Sequence, residues 1–353
     1  MKKVNLYKIA FIVLISIIGY FVLLLLIVHF ENQNPGSGIN NINNAIWWSM
    51  VTLTSVGYGD LVPTTEGGRI IGFFFLFGSL TIFAVLIGQI TSIMNNIKDN
   101  KRHGQYGTGL KNHALIIGWN SFGKTVTDQL LSAGKQVAIV TKTKTDIDFI
   151  NENYPKANVF ILYTDYNTIE HLQKANIEES SIVFVNLEDD TEKLVYILNL
   201  KKTFKDLRYI VSLDNSDLKQ TFITAGVTYA LSKNEIASKL LASYIFEPDV
   251  AVFNEEIIAV AESDELYDIK EYHVLSSNPY VNKPYEEVFY SLKKSSNAVL
   301  VGIVKCQDGS RTLLKNPEDE VTVEEDDYLL LLVNGLGEKK LSKLFHTKEG
   351  IDG

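Results

Sequence analysis

The chain has 353 residues, more than one hydrophobic core usually holds, so two or three folding units are expected. Its net charge of -9 is unevenly distributed: residues 1–111 hold eight Lys and Arg against four Asp and Glu, and the remainder holds 25 against 38. An apolar, basic front and an acidic back indicate a membrane part and an aqueous part, and the acidity argues against a nucleic acid as partner. A single cysteine, Cys306, excludes an intrachain disulfide and fits a reducing compartment.

Two long apolar runs dominate the first hundred residues. Residues 7–28 carry one charge, Lys8, and residues 70–97 carry none, so each exceeds the ~20 residues that cross a bilayer. Basic residues precede the first run and follow the second, whereas only Arg69 lies between them. The sequence therefore predicts a multi-pass protein of the cell (inner) membrane with both termini in the cytoplasm.

A short segment between the two runs carries alternating glycines. Residues 42–54 predict a helix too short to cross a bilayer, and the string Val56-Gly57-Tyr58-Gly59 follows. Because glycine adopts positive φ without strain, this backbone can point successive carbonyl oxygens toward one axis, as in a K⁺ filter. Such irregular backbone is tolerated at membrane depth where it lines a water-filled pore. The alternative, a glycine-rich turn, is disfavoured by the flanking spans.

Trp47, Trp48 and residues 54–60 resemble the pore of two-span prokaryotic K⁺ channels. The resemblance departs at Ser55, where Thr is usual, and at Val51, where some relatives carry a Glu that braces the filter. It implies a homotetramer around one axis. It also implies that Ser55, Val56, Gly57, Tyr58 and Gly59 coordinate K⁺, that Asp60 lies at the outer mouth, and that Trp47 and Trp48 support the filter from the pore helix.

The second span contains two glycines, Gly78 and Gly88. Glycine weakens a helix locally, so both are candidates for a gating hinge. The alternative is that they allow close packing between helices.

A strand-helix-strand pattern begins after residue 112. Residues 114–117 and 137–140 predict buried parallel strands, and a helix at 124–133 lies between them. The connecting loop matches the G-x-G-x-x-G pattern of dinucleotide sites except that its middle glycine is replaced by asparagine. Candidate ligand-binding residues here are Gly118, Asn120, Ser121, Phe122 and Gly123.

The second strand ends without the acidic residue that holds the ribose of NAD. Thr141 and Lys142 stand there instead, and they suit a phosphate, so a mononucleotide or a phosphorylated ribose is at least as plausible as NAD. Asp165, after a third strand at 159–163, is a further candidate. The alternative is the same fold with an empty pocket. The pattern brings no catalytic set together, so an enzyme is not expected.

The alternation continues through residues 182–186, 209–213 and 227–230 and predicts a parallel sheet with helices on both faces. Residues 112–345 resemble the regulator of K⁺ conductance (RCK) domain of TrkA-N type. The resemblance implies paired domains in an octameric ring, completed by a second set that separate soluble RCK chains can supply. Some relatives bind Ca²⁺ with carboxylates after the fourth and fifth strands. Here those positions hold Asn186, Ser212 and Asp214, so Ca²⁺ is disfavoured.

The C-terminal part predicts two helices, at 234–244 and 250–262, that cross over between paired domains in the family. Strands at 266–274, 298–305, 311–314 and 328–333 resemble the α+β TrkA-C lobe. The acidic runs at 188–190 and 324–327 are interpreted as a helix start and a solvated turn rather than metal sites. The predicted division is a pore domain (1–98), an extensible glycine-containing linker (99–111), the RCK N-lobe (112–233), crossover helices (234–262), the C-lobe (263–345) and a tail (346–353).

The predicted fold is thus a membrane α-helical pore, with two spans, a re-entrant helix and a filter, fused to a Rossmann-like α/β domain and a small α+β lobe. The predicted function is a K⁺-selective channel gated by a small ligand, either NAD, NADH, ATP or ADP, or Ca²⁺. One alternative keeps the pore and treats the ring as an assembly scaffold. The other is a membrane-anchored nucleotide-dependent oxidoreductase.

Overall fold

The computed structural model describes residues 6–261, 263–307, 310–347 and 349–350. The chain divides into two compact units, residues 1–99 and 100–353. The first contains α1 (Leu6–Glu31), α2 (Ile42–Leu53) and most of α3 (Glu66–Arg102), whose last residues belong to the second unit. By length and composition, α1 and α3 can each cross a membrane.

Helix α2 is held against both long helices by its own side chains. Its N-cap, Asn41, accepts a hydrogen bond from the Asn44 amide at 2.9 Å. The Ser49 hydroxyl lies 2.8 Å from the Tyr20 hydroxyl of α1, and the buried Trp48 ring packs edge-on against Phe75 of α3. These contacts fix the short helix between the two spans.

The N-lobe is a six-stranded parallel sheet in the order β3-β2-β1-β4-β5-β6, the doubly wound arrangement of Rossmann folds. Strands β1 and β2 are buried along their whole length, which explains their unbroken apolar runs. The predicted fold class is confirmed. The elements are β1 (His113–Ile117), α4 (Ser121–Ser132), β2 (Val137–Thr141), α5 (Lys144–Asn153), β3 (Val159–Tyr163), β4 (Ser180–Val185), α6 (Asp190–Thr203), β5 (Tyr209–Leu213), α7 (Lys219–Thr224) and β6 (Tyr229–Ser232), with a 3₁₀ helix at Ile169–Ala175.

Two helices and an antiparallel four-stranded sheet complete the chain. The sheet has the order β7-β10-β8-β9, and α10 and α11 contribute to its core. Helix α8 exposes Leu241, Ile245 and Phe246, and α9 exposes Ile258. Glu262, at the end of the second predicted helix, lies outside the described residues. The elements are α8 (Lys233–Phe246), α9 (Pro248–Ile258), β7 (Tyr267–His273), α10 (Tyr285–Ser296), β8 (Val299–Gln307), β9 (Ser310–Lys315), β10 (Tyr328–Asn334) and α11 (Gly335–Phe345).

Three helices, α5, α10 and α11, were not predicted. In α5 only Ile147 and Ile150 are buried, within an otherwise polar stretch. In α10, however, Tyr285, Val288 and Leu292 are buried at spacings of three and four residues. That spacing is an ordinary amphipathic signal, so α10 was predictable.

The segment between α3 and β1 is docked on the N-lobe, contrary to the expectation of an extensible linker. The Tyr163 amide donates to the His103 carbonyl at 3.0 Å, and Gln105 Nε2 donates to the Tyr163 carbonyl at 2.8 Å. Gly104 has φ 69°, and a Cβ there would overlap the carbonyl oxygen of Ile161. Glycine at position 104 therefore allows the segment to approach β3 closely, and it does not make the segment flexible.

The segment predicted as a tail is also attached. Glu349 Oε2 lies 2.6 Å from the Nζ of Lys270, a mostly buried side chain in β7, and the Gly350 amide donates to the Glu271 carbonyl at 2.9 Å. Residues 348 and 351–353 lie outside the described part of the chain.

The acidic run 324–327 is not simply a solvated turn. Asp327 is buried, and its Oδ2 accepts from Lys305 Nζ at 2.8 Å and from the Glu324 amide at 2.7 Å. Burial alone would lower the pKa of Lys305, but hydrogen bonds to Asp327 and Glu324 outweigh it and the pKa is raised. Within the described residues, no group of three or more His, Cys, Asp or Glu is placed to hold a metal ion.

We expect Lys305→Met to destabilise the C-lobe by about 3 kcal/mol, because it leaves the Asp327 carboxylate buried without its cation. Native-state hydrogen exchange should show the loss as faster exchange of β8 and β10 amides. The control is Glu324→Gln, which removes the exposed partner of the same lysine and should cost less than ~1 kcal/mol. Equal effects of both variants would contradict a special role for the buried pair.

Candidate functional site

The segment after α2 has an unusual backbone. Ser55, Gly57 and Gly59 all have positive φ, of 59°, 59° and 73°. They alternate with Val56 and Tyr58, so the chain repeats a two-residue pattern rather than forming a strand or helix. The Val51 carbonyl of α2 accepts hydrogen bonds from the amides of Val56 and Gly57, at 3.1 and 3.3 Å. The end of the helix therefore fixes where this segment begins.

The outer end of the segment is braced by a tryptophan. Trp47 Nε1 donates to Asp60 Oδ2 at 2.8 Å, and the Trp47 ring stacks on Tyr58 with ring planes 7° apart. Val51 has no polar side chain to offer, so the brace comes from the indole. The predicted supporting and outer-mouth residues thus lie in contact, and Trp48 lies in the packing between α2 and α3.

Sequence reasoning missed Glu31, which ends α1. Its carboxylate is fully buried and accepts from the amides and hydroxyls of Thr64 and Thr65 and from the Ser37 hydroxyl, at 2.6–3.1 Å. A Cβ at Gly68 would overlap this carboxylate. The group ties the end of the first span to the start of the second. A single acid at the end of an apolar run was the available signal.

The candidate hinge glycines lie within α3. A Cβ at Gly78 or at Gly88 would meet no atom within 4 Å in the isolated chain. Neither glycine therefore serves close packing within one protomer, and a hinge role and contact with another copy both remain open to test.

A cavity of about 330 Å³ lies at the carboxyl ends of β1, β2 and β4. This edge of a doubly wound sheet is where ligands bind, at the point where strand order reverses. Three predicted residues, Gly118, Asn120 and Lys142, line it. Lining residues that were not assigned to it are Trp119, Thr143, Tyr166, Asn186, Leu187, Glu188 and Glu192.

The first turn of α4 is organised by two asparagines. Asn120 is the N-cap and accepts from the Gly123 amide at 2.9 Å, and Asn186 Nδ2 donates to Asn120 at 2.9 Å and to the Gly118 carbonyl at 3.2 Å. Gly118 has φ 97°, and a Cβ there would overlap the Asn186 carbonyl. The loop therefore needs glycine at this position to approach β4.

The other predicted pocket residues do not line the cavity. Ser121 and Phe122 begin α4, and the Phe122 ring packs against Phe184. Thr141 is buried and donates to Asp146 Oδ2 at 2.5 Å. Asp165 accepts from the amide of Asn167. Thr141 and Asp165 are thus engaged in holding the loops that follow β2 and β3.

Two of the three positions considered for Ca²⁺, Ser212 and Asp214, already contact a lysine of the protein. The buried Lys193 Nζ donates to the Ser212 carbonyl and to Asp190 Oδ1, at 2.8 and 2.7 Å, and Asp214 pairs with Lys233. Burial alone would raise the pKa of Asp190, but hydrogen bonds from Lys193 and from the Asn215 and Asp214 amides outweigh it and lower the pKa. Asp189 caps α6, as expected for a helix start.

Two spans around a short helix and an alternating glycine segment, followed by a Rossmann-type lobe, define a pore-forming membrane protein with a cytosolic-type ligand domain. The ion channel family model matches residues 8–96 and the TrkA-N domain model matches residues 114–233, together more than half of the chain. The chain thus combines an ion channel domain with a TrkA-N domain, and it is similar to prokaryotic K⁺ channels.

The chain is similar to several archaeal potassium channels. It is 25% identical over 244 residues to the calcium-gated potassium channel TvoK of Thermoplasma volcanium, covering 66% of this chain and 68% of that one. It is 22% identical to potassium channel protein 1 of Methanocaldococcus jannaschii, covering 87% and 90%. The structure of the human SLO3 gating ring aligns over 66% of the chain at 13% identity and a TM-score of 0.50, and the chain spans 46% of that ring chain.

We expect Glu31→Gln to destabilise the pore unit by about 3 kcal/mol or more, because the new amide points a donor at groups that are themselves donors. Thermal unfolding of the detergent-solubilised protein checks this. Glu66→Gln, which changes an exposed acid in the first turn of α3, is the control and should stay within ~0.5 kcal/mol of the unchanged protein. Similar losses from both would argue against the buried carboxylate as a clamp.

Proposed function

We propose that the chain forms a homotetrameric pore in which Ser55, Val56, Gly57, Tyr58 and Gly59 coordinate K⁺. The supporting observation is the alternation of positive φ along this segment, fixed at one end by Val51 and at the other by Trp47. Carbonyl rings of this kind replace the hydration shell of K⁺. One chain supplies only one side of a ring, so a closed cyclic assembly is required. Both termini lie in the cytoplasm, and Asp60 lies at the outer mouth.

Purified protein in liposomes should pass K⁺ and Rb⁺ at least about tenfold faster than Na⁺. Gly57→Ala should abolish this flux, because each copy would hold alanine at φ 59°, at a cost of about 1–2 kcal/mol per copy. Gly19→Ala in α1, where a Cβ meets open space, is the control and should conduct normally. Equal K⁺ and Na⁺ flux through the unchanged protein would overturn the proposal.

We also propose that a nucleotide in the cavity of the N-lobe gates the pore. The cavity lies at the ligand-binding edge of the sheet and has a lysine on its wall. TvoK is described as calcium-gated. In this chain, however, Lys193 Nζ bonds the Ser212 carbonyl and Lys233 pairs with Asp214, two of the positions considered for Ca²⁺, so a nucleotide is preferred here. A ligand gates only if it binds two ring conformations with different affinity.

The docked linker gives the cavity a short mechanical connection to the end of α3. The Thr141 carbonyl, next to Lys142, accepts from the Thr164 amide at 3.0 Å. Tyr163, the preceding residue, holds His103 and Gln105 through its amide and carbonyl. Lys174 Nζ donates to Gln105 Oε1 at 2.8 Å, so the amide is fixed on both sides. A change in conformation at the end of β2 is therefore passed through the end of the neighbouring strand, β3, to His103, the residue that follows α3.

We expect Gln105→Ala to weaken the effect of ligand on K⁺ flux by about fivefold, since about 1 kcal/mol of coupling is lost with the bond to Tyr163. Nucleotide affinity, measured by calorimetry, should change by no more than the same factor of about five, because coupling between two sites is reciprocal. Gln136→Ala is the control, because its amide also bonds a carbonyl beside β3 but at the opposite end of the strand.

The scaffold alternative has its own outcome in this experiment. If no nucleotide changes the flux of the unchanged protein, the ring serves assembly rather than sensing. Gly118 is unsuitable for this test, because any side chain there overlaps β4 and would disturb the fold itself.

A further inference from the structure

Lys142 is a cation on the cavity wall with no carboxylate partner among the described residues. Its side chain is exposed, and its Nζ lies 5.3 Å from the centre of the Tyr166 ring. Neighbouring lysines differ: Lys124 pairs with Asp128, and Lys193 and Lys233 pair with Asp190 and Asp214. The ammonium of Lys142 is thus available to an anion that enters the cavity from solvent.

The usual binding position for the phosphates of a dinucleotide has fewer free hydrogen-bond donors in this chain. In Rossmann folds the pyrophosphate lies at the N-terminus of the first helix, close to the backbone of the middle glycine. Here the Asn120 side chain stands at that position, accepts from the Gly123 amide and is held in place by Asn186. The first helix therefore offers fewer free donors to a pyrophosphate.

The end of β2 also lacks an acceptor for a free ribose diol. The Thr141 hydroxyl donates to Asp146 and accepts from the Thr143 amide at 3.1 Å, so both groups are engaged with each other. Neither Thr141 nor Asp146 lines the cavity, whereas Lys142 and Thr143 do. This edge of the cavity is suited to a phosphate and not to two hydroxyls.

The cavity wall also carries two carboxylates. Glu188 and Glu192 line it and follow β4 in the chain, whereas Lys142 follows β2. Carboxylates repel a phosphate and accept hydrogen bonds from hydroxyl or amide groups. A ligand is therefore oriented with its phosphate toward β2, and the volume of about 330 Å³ suits a mononucleotide-sized group.

From these contacts we infer that the cavity selects a nucleotide with a phosphate on its ribose 2′-hydroxyl, and that Lys142 is the residue that reads this phosphate. The inference rests on the proposed function, in which the same cavity holds the gating ligand. In the doubly wound fold, the ribose hydroxyls face the end of the second strand, where a basic residue replaces the acid when the ribose is phosphorylated. This arrangement gives the cavity a specificity that G-x-G-x-x-G matching alone does not predict.

Two pairs of probes test the inference on the full-length protein in detergent. 2′-AMP and 5′-AMP have the same composition and differ only in the position of the phosphate, and NADP⁺ and NAD⁺ differ only by the 2′-phosphate. Calorimetry should show about tenfold or tighter binding of the 2′-phosphorylated member of each pair, as expected for one charge-assisted hydrogen bond.

In the same calorimetric comparison, Lys142→Gln should remove this preference, so that the two members of each pair bind equally. Lys144→Gln, an exposed lysine two residues along that does not line the cavity, is the matched control and should keep the preference. Equal or tighter binding of 5′-AMP and NAD⁺ would overturn the inference and leave nucleotide gating intact. Failure of all four probes to bind or to alter flux would overturn both.

Discussion

The outer edge of β3 is the constraint on which the second unit, residues 100–353, depends. A sheet edge carries unpaired amides and carbonyls that must be covered or left in water. Here the segment after α3 covers them, with His103 and Gln105 bonded to both polar groups of Tyr163. Further bonds follow along the segment, from the Thr108 amide to the Lys174 carbonyl and from Asn176 Nδ2 to the Leu110 carbonyl. The segment that follows α3 therefore both covers the edge of the sheet and joins the second span to the N-lobe.

In the pore unit, the segment after α2 is likewise held in place by bonds from neighbouring parts of the chain. A filter needs successive carbonyls to face one axis, and nothing in the segment itself can hold them there, because it forms neither helix nor ladder. The restraints come from outside: a carbonyl of α2 at the start of the segment, an indole at its end, and the Glu31 clamp between the span ends. The bonds from Trp47 to Asp60 and from Glu31 to Thr64 join residues 13 and 33 positions apart, which no local pattern reveals.

The division between what sequence predicted and what it missed follows from this. Apolar runs and turn residues predicted the spans, the short helix and the strands of the parallel sheet, since those signals are local. The interpretation of Gly104 as a source of flexibility was wrong. Glycine can give a segment conformational freedom or allow two segments to approach closely, and only the position of the Ile161 carbonyl shows that the second role applies here. In the cavity, the replacement of glycine by Asn120 was visible, but its bond to Asn186 was not. Thr141 was predicted to bind ligand, but its hydroxyl instead bonds Asp146. That bond was missed because Asp146 lies in α5, a helix that was not predicted.

The N-lobe distributes its internal bonds unequally along the ligand-binding edge. At the ends of β4 and β5, the chain's own groups occupy the polar positions: Lys193 on the Ser212 carbonyl, Asp190 on the amides of Asp214 and Asn215. At the end of β2, the Lys142 ammonium lies over the Tyr166 ring and has no carboxylate partner among the residues that the structure describes. Because β3 pairs with β2 and carries the segment that follows α3, the end of β2 at Lys142 and that segment lie on adjacent strands.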